Sequence, residues 1–232
     1  MKVAVITGGS KGIGYAVAES LLKEGYKVAI TSRKIESANE AASKLVAFGD
    51  VLAIEADVKN YQSQAEAMNL ILEKWGQIDV LIANAGVGSF ASIEEMSLET
   101  WHETIDTNLT GVFYSIKASL EAIKKTKGYI FTISSLAGAN FFAGGSAYNA
   151  SKFGLTGFTQ AVMLDLRKHG IKVSTIMPGS VSTYFNDHQP NDTSDAWKIQ
   201  PEDLGQLVVD MLKMPARTLP SKVEIRPTTP AG

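Results

Sequence analysis

Cysteine is absent from the 232 residues, so neither a disulfide framework nor a thiolate metal site is available to this chain. Histidine is scarce. His102, His169 and His188 are the whole set, and their spacing matches no metal-ligand pattern. No apolar run approaches the roughly 20 residues that a membrane-spanning helix needs. The four apolar residues after Lys2 in MKVAVITGG are too few for the core of a secretory signal. Charge is not concentrated either: 22 Lys and Arg against 24 Asp and Glu leave a net charge of −2, with no basic stripe of the kind nucleic-acid binding requires. The expectation is a cytoplasmic protein that engages no metal, membrane or nucleic acid.

What is present is alternation. Short β-branched runs at 3–6, 27–31, 51–56, 78–84, 129–134, 172–177 and 222–226 are separated by helical patterns. The spacing predicts helices over 12–24, 37–48, 62–75, 98–125, 147–169 and 201–213. Several are closed by glycine, at Gly25, Gly49, Gly76 and Gly170, and Ser97 is a candidate N-cap. Strands interleaved with helices imply a parallel sheet covered on both faces. About seven strands and a glycine-rich turn after the first favour an α/β, Rossmann-type doubly wound sheet over a closed barrel. No linker or repeat divides the chain, so residues 1–232 read as one domain with a short polar loop near 180–200.

The turn after the first strand is TGGSKGIG, residues 7–14. Gly8, Gly12 and Gly14 let the backbone turn tightly and approach a diphosphate at the start of the next helix. Tyr15 and Ala16 stand where a P-loop needs Lys-[ST], which leaves dinucleotide binding as the reading. An NAD site would place an acidic residue about 20 positions further on to bind the ribose 2′-hydroxyl. Here that stretch is TSRK (31–34), without Asp or Glu. Arg33 and Lys11 are instead available for a 2′-phosphate, so NADP(H) is expected in preference to NAD(H).

Residues 146–158, SAYNASKFGLTGF, put Tyr148 and Lys152 one helical turn apart among small neighbours. An ordinary amphipathic helix would bury the ring and extend the lysine to water. A second reading is chemical. At about 4 Å and an effective dielectric near 20, a unit charge contributes about 4 kcal/mol, which lowers a phenol pKa by roughly 3 units. A hydroxyl so tuned exchanges a proton with an alcohol or alkoxide near neutral pH.

The motifs TGGSKGIG, IANAG (82–86), TNLTG (107–111), ISSLAG (133–138), YNASK (148–152) and PGSVST (178–183) stand in the order that marks the short-chain dehydrogenase/reductase family. The chain resembles that family over residues 3–183, in its NADP-dependent carbonyl or ketoacyl reductase form. The resemblance implies that Tyr148 is the acid/base and that Lys152 tunes it and holds the nicotinamide ribose. Ser135, thirteen residues before Tyr148, would bind the substrate carbonyl; Ser134 is the neighbour it could be confused with. Asn108 would hold a water joining Lys152 to solvent. Gly8, Ser10, Lys11, Gly12, Ile13 and Gly14 would cradle the coenzyme, with Arg33 at its phosphate. Asp57 and Val58 would meet adenine, and Asn84, Ala85 and Gly86 its ribose. Pro178, Gly179, Val181 and Thr183 would meet the nicotinamide end.

Ser89, Phe90, Phe141, Phe142, Tyr184 and Phe185 are candidates for an apolar substrate wall. The implied activity is reduction of a ketone or aldehyde, or the reverse oxidation. Reduction of 3-oxoacyl thioesters and an idle NADP-binding sensor are the alternatives. A serine hydrolase is excluded, because GGSAY (144–148) has Tyr148 where G-x-S-x-G requires glycine. A homodimer or homotetramer paired through the helices at 98–125 and 147–169 is expected. The tail PSKVEIRPTTPAG is shorter than that of relatives which assemble through their last strand.

Overall fold

Val3 and Val5 face one side of the first strand, Ala4 and Ile6 the other, and all four are buried. A strand with no wet face belongs inside a sheet covered on both sides. The computed structural model, which describes residues 1–191 and 193–229, forms that sheet from seven strands. They are β1 (Val3–Thr7), β2 (Lys27–Ser32), β3 (Val51–Glu55), β4 (Val80–Ala83), β5 (Tyr129–Ile133), β6 (Lys172–Pro178) and β7 (Lys222–Ile225). Every neighbouring pair is parallel, in the order β3-β2-β1-β4-β5-β6-β7. This is the Rossmann-type doubly wound sheet predicted from the sequence.

Seven helices cover it: α1 (Gly12–Lys23), α2 (Ile35–Leu45), α3 (Tyr61–Trp75), α4 (Leu98–Ile105), α5 (Gly111–Thr126), α6 (Ser146–Leu166) and α7 (Pro201–Lys213). Ala4 and Ile6 pack with Val17 and Leu21 of α1 and Leu204 and Val208 of α7. Val3 and Val5 pack with Met68 of α3, Ile116 and Ile123 of α5 and Leu155 of α6. Phe131, at the centre of β5, is fully buried; a side chain of that kind contributes about 3–5 kcal/mol relative to Ala. Ser97 caps α4 as expected, accepting from Thr100 N at 3.1 Å. Gln200 and Asp203 form a capping box at α7, with Pro201 in its first turn. Among the described residues no helix is long and apolar enough to cross a membrane.

The predicted helix 98–125 is not continuous. Residues Asp106–Thr110 form a π-helical segment between α4 and α5, and Gly111 N bonds back to Asp106 O. The predicted strand 78–84 is also trimmed. Asp79 turns its carboxylate to Val3 N (2.8 Å), and Asn84 leaves the ladder to bond the turn after β1. The helix predicted to 169 leaves α-geometry at Leu166 and finishes in a 3₁₀ turn, Arg167–His169. Of the C-terminal tail, residues 230–232 lie outside the described residues, as does Asp192 of the polar loop.

Candidate active site

The strand order reverses between β1 and β4, so the chains leaving them run out side by side and open a crevice. Thr7 and Asn84 clamp its floor. Thr7 Oγ1 accepts from Asn84 N (3.0 Å) and Ala85 N (3.1 Å), while Asn84 Nδ2 donates to Thr7 O and Gly8 O, both at 3.0 Å. Gly8 and Gly12 have φ of +64° and +57°, a region that glycine adopts without strain. A Cβ on Gly14 would come within 2.5 Å of both Asn84 Nδ2 and Gly8 O. The third glycine therefore lets α1 approach the clamp and does not itself line the crevice. Lys11, at the N-cap of α1, makes no side-chain cap hydrogen bond. The first N–H groups of that helix remain free for an anion.

The crevice widens into a cleft of about 1700 Å³ along the carboxyl ends of the strands. It is lined by Gly8, Ser10, Lys11, Gly12, Ile13, Arg33, Asp57, Val58, Asn84, Ala85 and Gly86, together with Ser135, Tyr148, Lys152, Pro178, Gly179, Val181 and Thr183. Of the residues singled out from the sequence, only Gly14 and Asn108 are missing from the lining. The volume, the glycine cradle and the open helix terminus fit a dinucleotide.

Tyr148 and Lys152 lie on the buried face of α6, and Lys152 Nζ sits 5.7 Å from the centroid of the tyrosine ring. The lysine donates to Ile133 O at 2.9 Å. Burial pushes its pKa down from 10.5 to about 8. Burial also pushes the Tyr148 phenol up, with the Ser135 hydroxyl pulling weakly the other way. The lowering by a neighbouring cation expected from the sequence is therefore not found in the free chain. Desolvation outweighs charge, since the ammonium is tied to a backbone carbonyl and is itself buried.

Ser134 and Ser135 are separated by what holds them. Ser134 Oγ is committed to Lys152 O (3.2 Å) and Thr156 Oγ1 (3.0 Å). Ser135 Oγ accepts from Ala137 N (3.1 Å) and stands near the phenol.

Asn108 lies in the π-segment, fully buried, where a helix interior was expected. Its Oδ1 accepts from Val87 N (2.8 Å), and Nδ2 donates to Val87 O (2.9 Å) and Ser151 Oγ (3.1 Å). It thus stitches the turn after β4 to α6. A Cβ on Gly86 would lie 3.3 Å from Asn108 Oδ1 and 3.7 Å from Lys152 Nζ, so the bare glycine lets this turn pass close to both. The sequence left Arg33 available, but in the fold its guanidinium is already engaged. Its Nη1 donates to Glu103 Oε1 of α4 at 3.2 Å.

The family model described as short chain dehydrogenase matches residues 2–194. The chain belongs to the short-chain dehydrogenase family. Over 226 residues it is 35% identical to the oxidoreductase YxjF of Bacillus subtilis, covering 97% of this chain and 88% of that one. It is 37% identical over 190 residues to a 3-oxoacyl-(acyl-carrier-protein) reductase of Synechocystis, covering 81% and 77%. Among solved structures it is similar to an alcohol dehydrogenase of the archaeon Thermococcus sibiricus complexed with 5-hydroxy-NADP. The TM-score there is 0.93 and the identity 31%, over 98% of this chain and 97% of the other.

In this short-chain dehydrogenase the six residues expected of a substrate wall all reach the cleft. Phe90 packs edge-on to both Tyr148 and Phe142, with centroids 5.4 Å apart in each case, and Phe185 lies 5.7 Å from Tyr148. Phe141 projects into solvent, 86% exposed. The loop near 180–200 is tied to a buried hub, Asp195. Its carboxylate meets Lys198 Nζ at 2.6 Å, His188 Nε2 at 2.6 Å and Ser182 Oγ at 2.8 Å. His188, Trp197, Lys198, Arg226 and Pro227 also line the cleft and were missed from the sequence. Nothing local marks the last two. They arrive because β7 pairs with β6, where Gly179 N donates to Ile225 O at 2.8 Å.

Proposed function

We propose that residues 1–232 act as one dinucleotide-binding oxidoreductase unit that reduces a ketone or aldehyde to an alcohol, or runs the reverse, with NADP(H) preferred over NAD(H). The observation that carries this is the placement of Tyr148, Ser135 and Lys152 together on one cleft that also holds a glycine cradle. When bound, the coenzyme would supply hydride for a carbonyl carbon, the C=O π electrons passing to oxygen. Gly8, Ser10, Gly12 and Ile13 would hold its diphosphate, and Arg33 and Lys11 its 2′-phosphate. Asp57, Val58, Asn84, Ala85 and Gly86 would hold the adenosine, and Pro178, Gly179, Val181 and Thr183 the nicotinamide end.

Ser135 donates to the substrate oxygen as negative charge grows on it. Tyr148 delivers the proton. A phenol whose pKa burial has raised is protonated at neutral pH, the form a donor needs. Lys152, titrating at about 8, is poised to restore that proton. Asn108, which ties the turn carrying Gly86 to α6 beside Lys152, would serve as a positioning residue for a water that returns protons to the lysine.

The half-exposed rings of Phe90, Phe142 and Tyr184 support an apolar substrate. Phe113 on α5, with Phe153 and Leu164 on α6, leaves large apolar surface in water. These residues support pairing of subunits through those helices as a homodimer or homotetramer.

The test is loss of reduced-coenzyme absorbance across a panel of aryl and alkyl ketones, aldehydes and acetoacetyl thioesters. Turnover of apolar ketones or aldehydes is expected. Turnover of thioesters alone, in line with the Synechocystis relative, would narrow the activity to oxoacyl reduction. Tight NADPH binding with no turnover on any member would reassign the chain as a coenzyme sensor.

A further inference from the structure

No Asp or Glu lies in the TSRK stretch at the end of β2, yet the fold brings a carboxylate to that place from seventy positions further along. Glu103 of α4 accepts from Arg33 through Oε1 and forms an ion pair with Lys59 through Oε2. Lys59 sits in the turn after β3, whose Asp57 Oδ1 accepts from Lys59 N at 2.9 Å. Three elements thus meet in one small cluster of two cations and one anion. Its side chains are 59% (Arg33), 36% (Glu103) and 31% (Lys59) exposed. An exposed pair of this kind shifts an equilibrium by about fivefold at most, so it yields readily to a better partner.

Resting on the NADP(H) reading above, we propose that Glu103 sets how strongly this enzyme discriminates between phosphorylated and unphosphorylated coenzyme. Removing the Glu103 charge makes the cluster more positive by one unit towards a 2′-phosphate, the Asp57 carboxylate beside Lys59 being unchanged. The carboxylate also lies on the guanidinium that the phosphate must engage. Both effects weaken NADP(H) and leave NAD(H), which lacks the phosphate, untouched. Glu103 is therefore a brake on coenzyme preference, acting against Arg33 and shared with Lys59.

Glu103→Gln separates charge from position, because the amide oxygen still accepts from Arg33. In titrations of the free enzyme, the variant is expected to bind NADPH about fivefold more tightly, with NADH changed by less than about twofold. The gain is expected to vanish in about 1 M salt, where the Debye length falls to about 3 Å. Lys59→Gln is expected to move NADPH affinity the opposite way by a similar factor. Arg33→Ala is measured beside them. If it weakens NADPH and NADH equally, the coenzyme reading falls and takes this inference with it. If Arg33→Ala is selective for NADPH but Glu103→Gln leaves NADPH affinity unchanged or weaker, the brake alone is overturned.

Discussion

Arg33 at one end of the cleft keeps more than half of its side chain in water and spends its charge on Glu103. Lys152 at the other end is closed in by α6 and β5 and holds a backbone carbonyl. The same formal charge behaves differently in the two places. In water it is screened, exchangeable and nearly free of consequence for folding. Buried, it resists ionisation and weighs on the fold. The exposed end is suited to recognising a ligand that comes and goes, and the buried end to moving protons near neutral pH.

The sharpest way to break this contrast is at the buried end. Tyr148→Phe keeps the ring and its contacts with Phe90 and Phe185 but removes the proton donor. Turnover is expected to fall about a thousandfold, with NADPH affinity in a titration unchanged; full activity would end the assignment. Ser135→Ala is expected to cost about a hundredfold in kcat by removing a donor to the developing oxyanion. Ser134→Ala, which loses only bonds to Lys152 O and Thr156 Oγ1, should cost about 1 kcal/mol of stability in denaturant melts with little change in kcat. A reversal of that pair would hand the role to Ser134.

Lys152→Met sharpens the comparison thermodynamically. The native pKa of about 8 lies below the ordinary 10.5. Between those values the unfolded chain binds a proton that the native one does not, so wild-type stability rises with pH across that window. Below pH 8 both states are protonated and the penalty is fully present, about 3 kcal/mol at 1.36 kcal/mol per unit. The variant escapes it, less about 1 kcal/mol for leaving Ile133 O unpaired. Its melting temperature should exceed that of wild type below pH 8, the gap closing and then changing sign as pH rises to 10.5, while turnover is lost. A variant less stable at neutral pH would show that the lysine does not strain the fold. The exposed end, with its severalfold changes in coenzyme affinity, gives the smallest effects.

Much of this was legible in the chain. Burial on both faces of β1 follows from its unbroken apolar run, and the glycines after α1, α3 and the last turn of α6 marked real stops. Most motif residues reach one cleft because the glycine-rich turn, residues 84–86, Ser135 and residues 179–183 follow the carboxyl ends of strands, and α6 lays Tyr148 and Lys152 beside them. What escaped depended on distance. The π-segment is held by bonds from Asn108 to Val87 and Ser151, which no local propensity announces. Glu103 meets Arg33 across seventy residues, and Arg226 enters through pairing of the last strand. The direction of the Tyr148 pKa was misjudged because spacing on a helix gives proximity to Lys152 but says nothing of how deeply both are packed.

The loosened turn at Asp106–Thr110 ties these distant parts together. Each residue of a helix advances it by about 100°, so removing one from that turn would swing α4 by more than a quarter revolution against α5. Glu103 would be carried off Arg33 in the same movement that drew Asn108 from Val87. One surplus residue thus gears the edge that carries the Arg33–Glu103 pair to the turn beside Lys152, and neither can be re-indexed without disengaging the other.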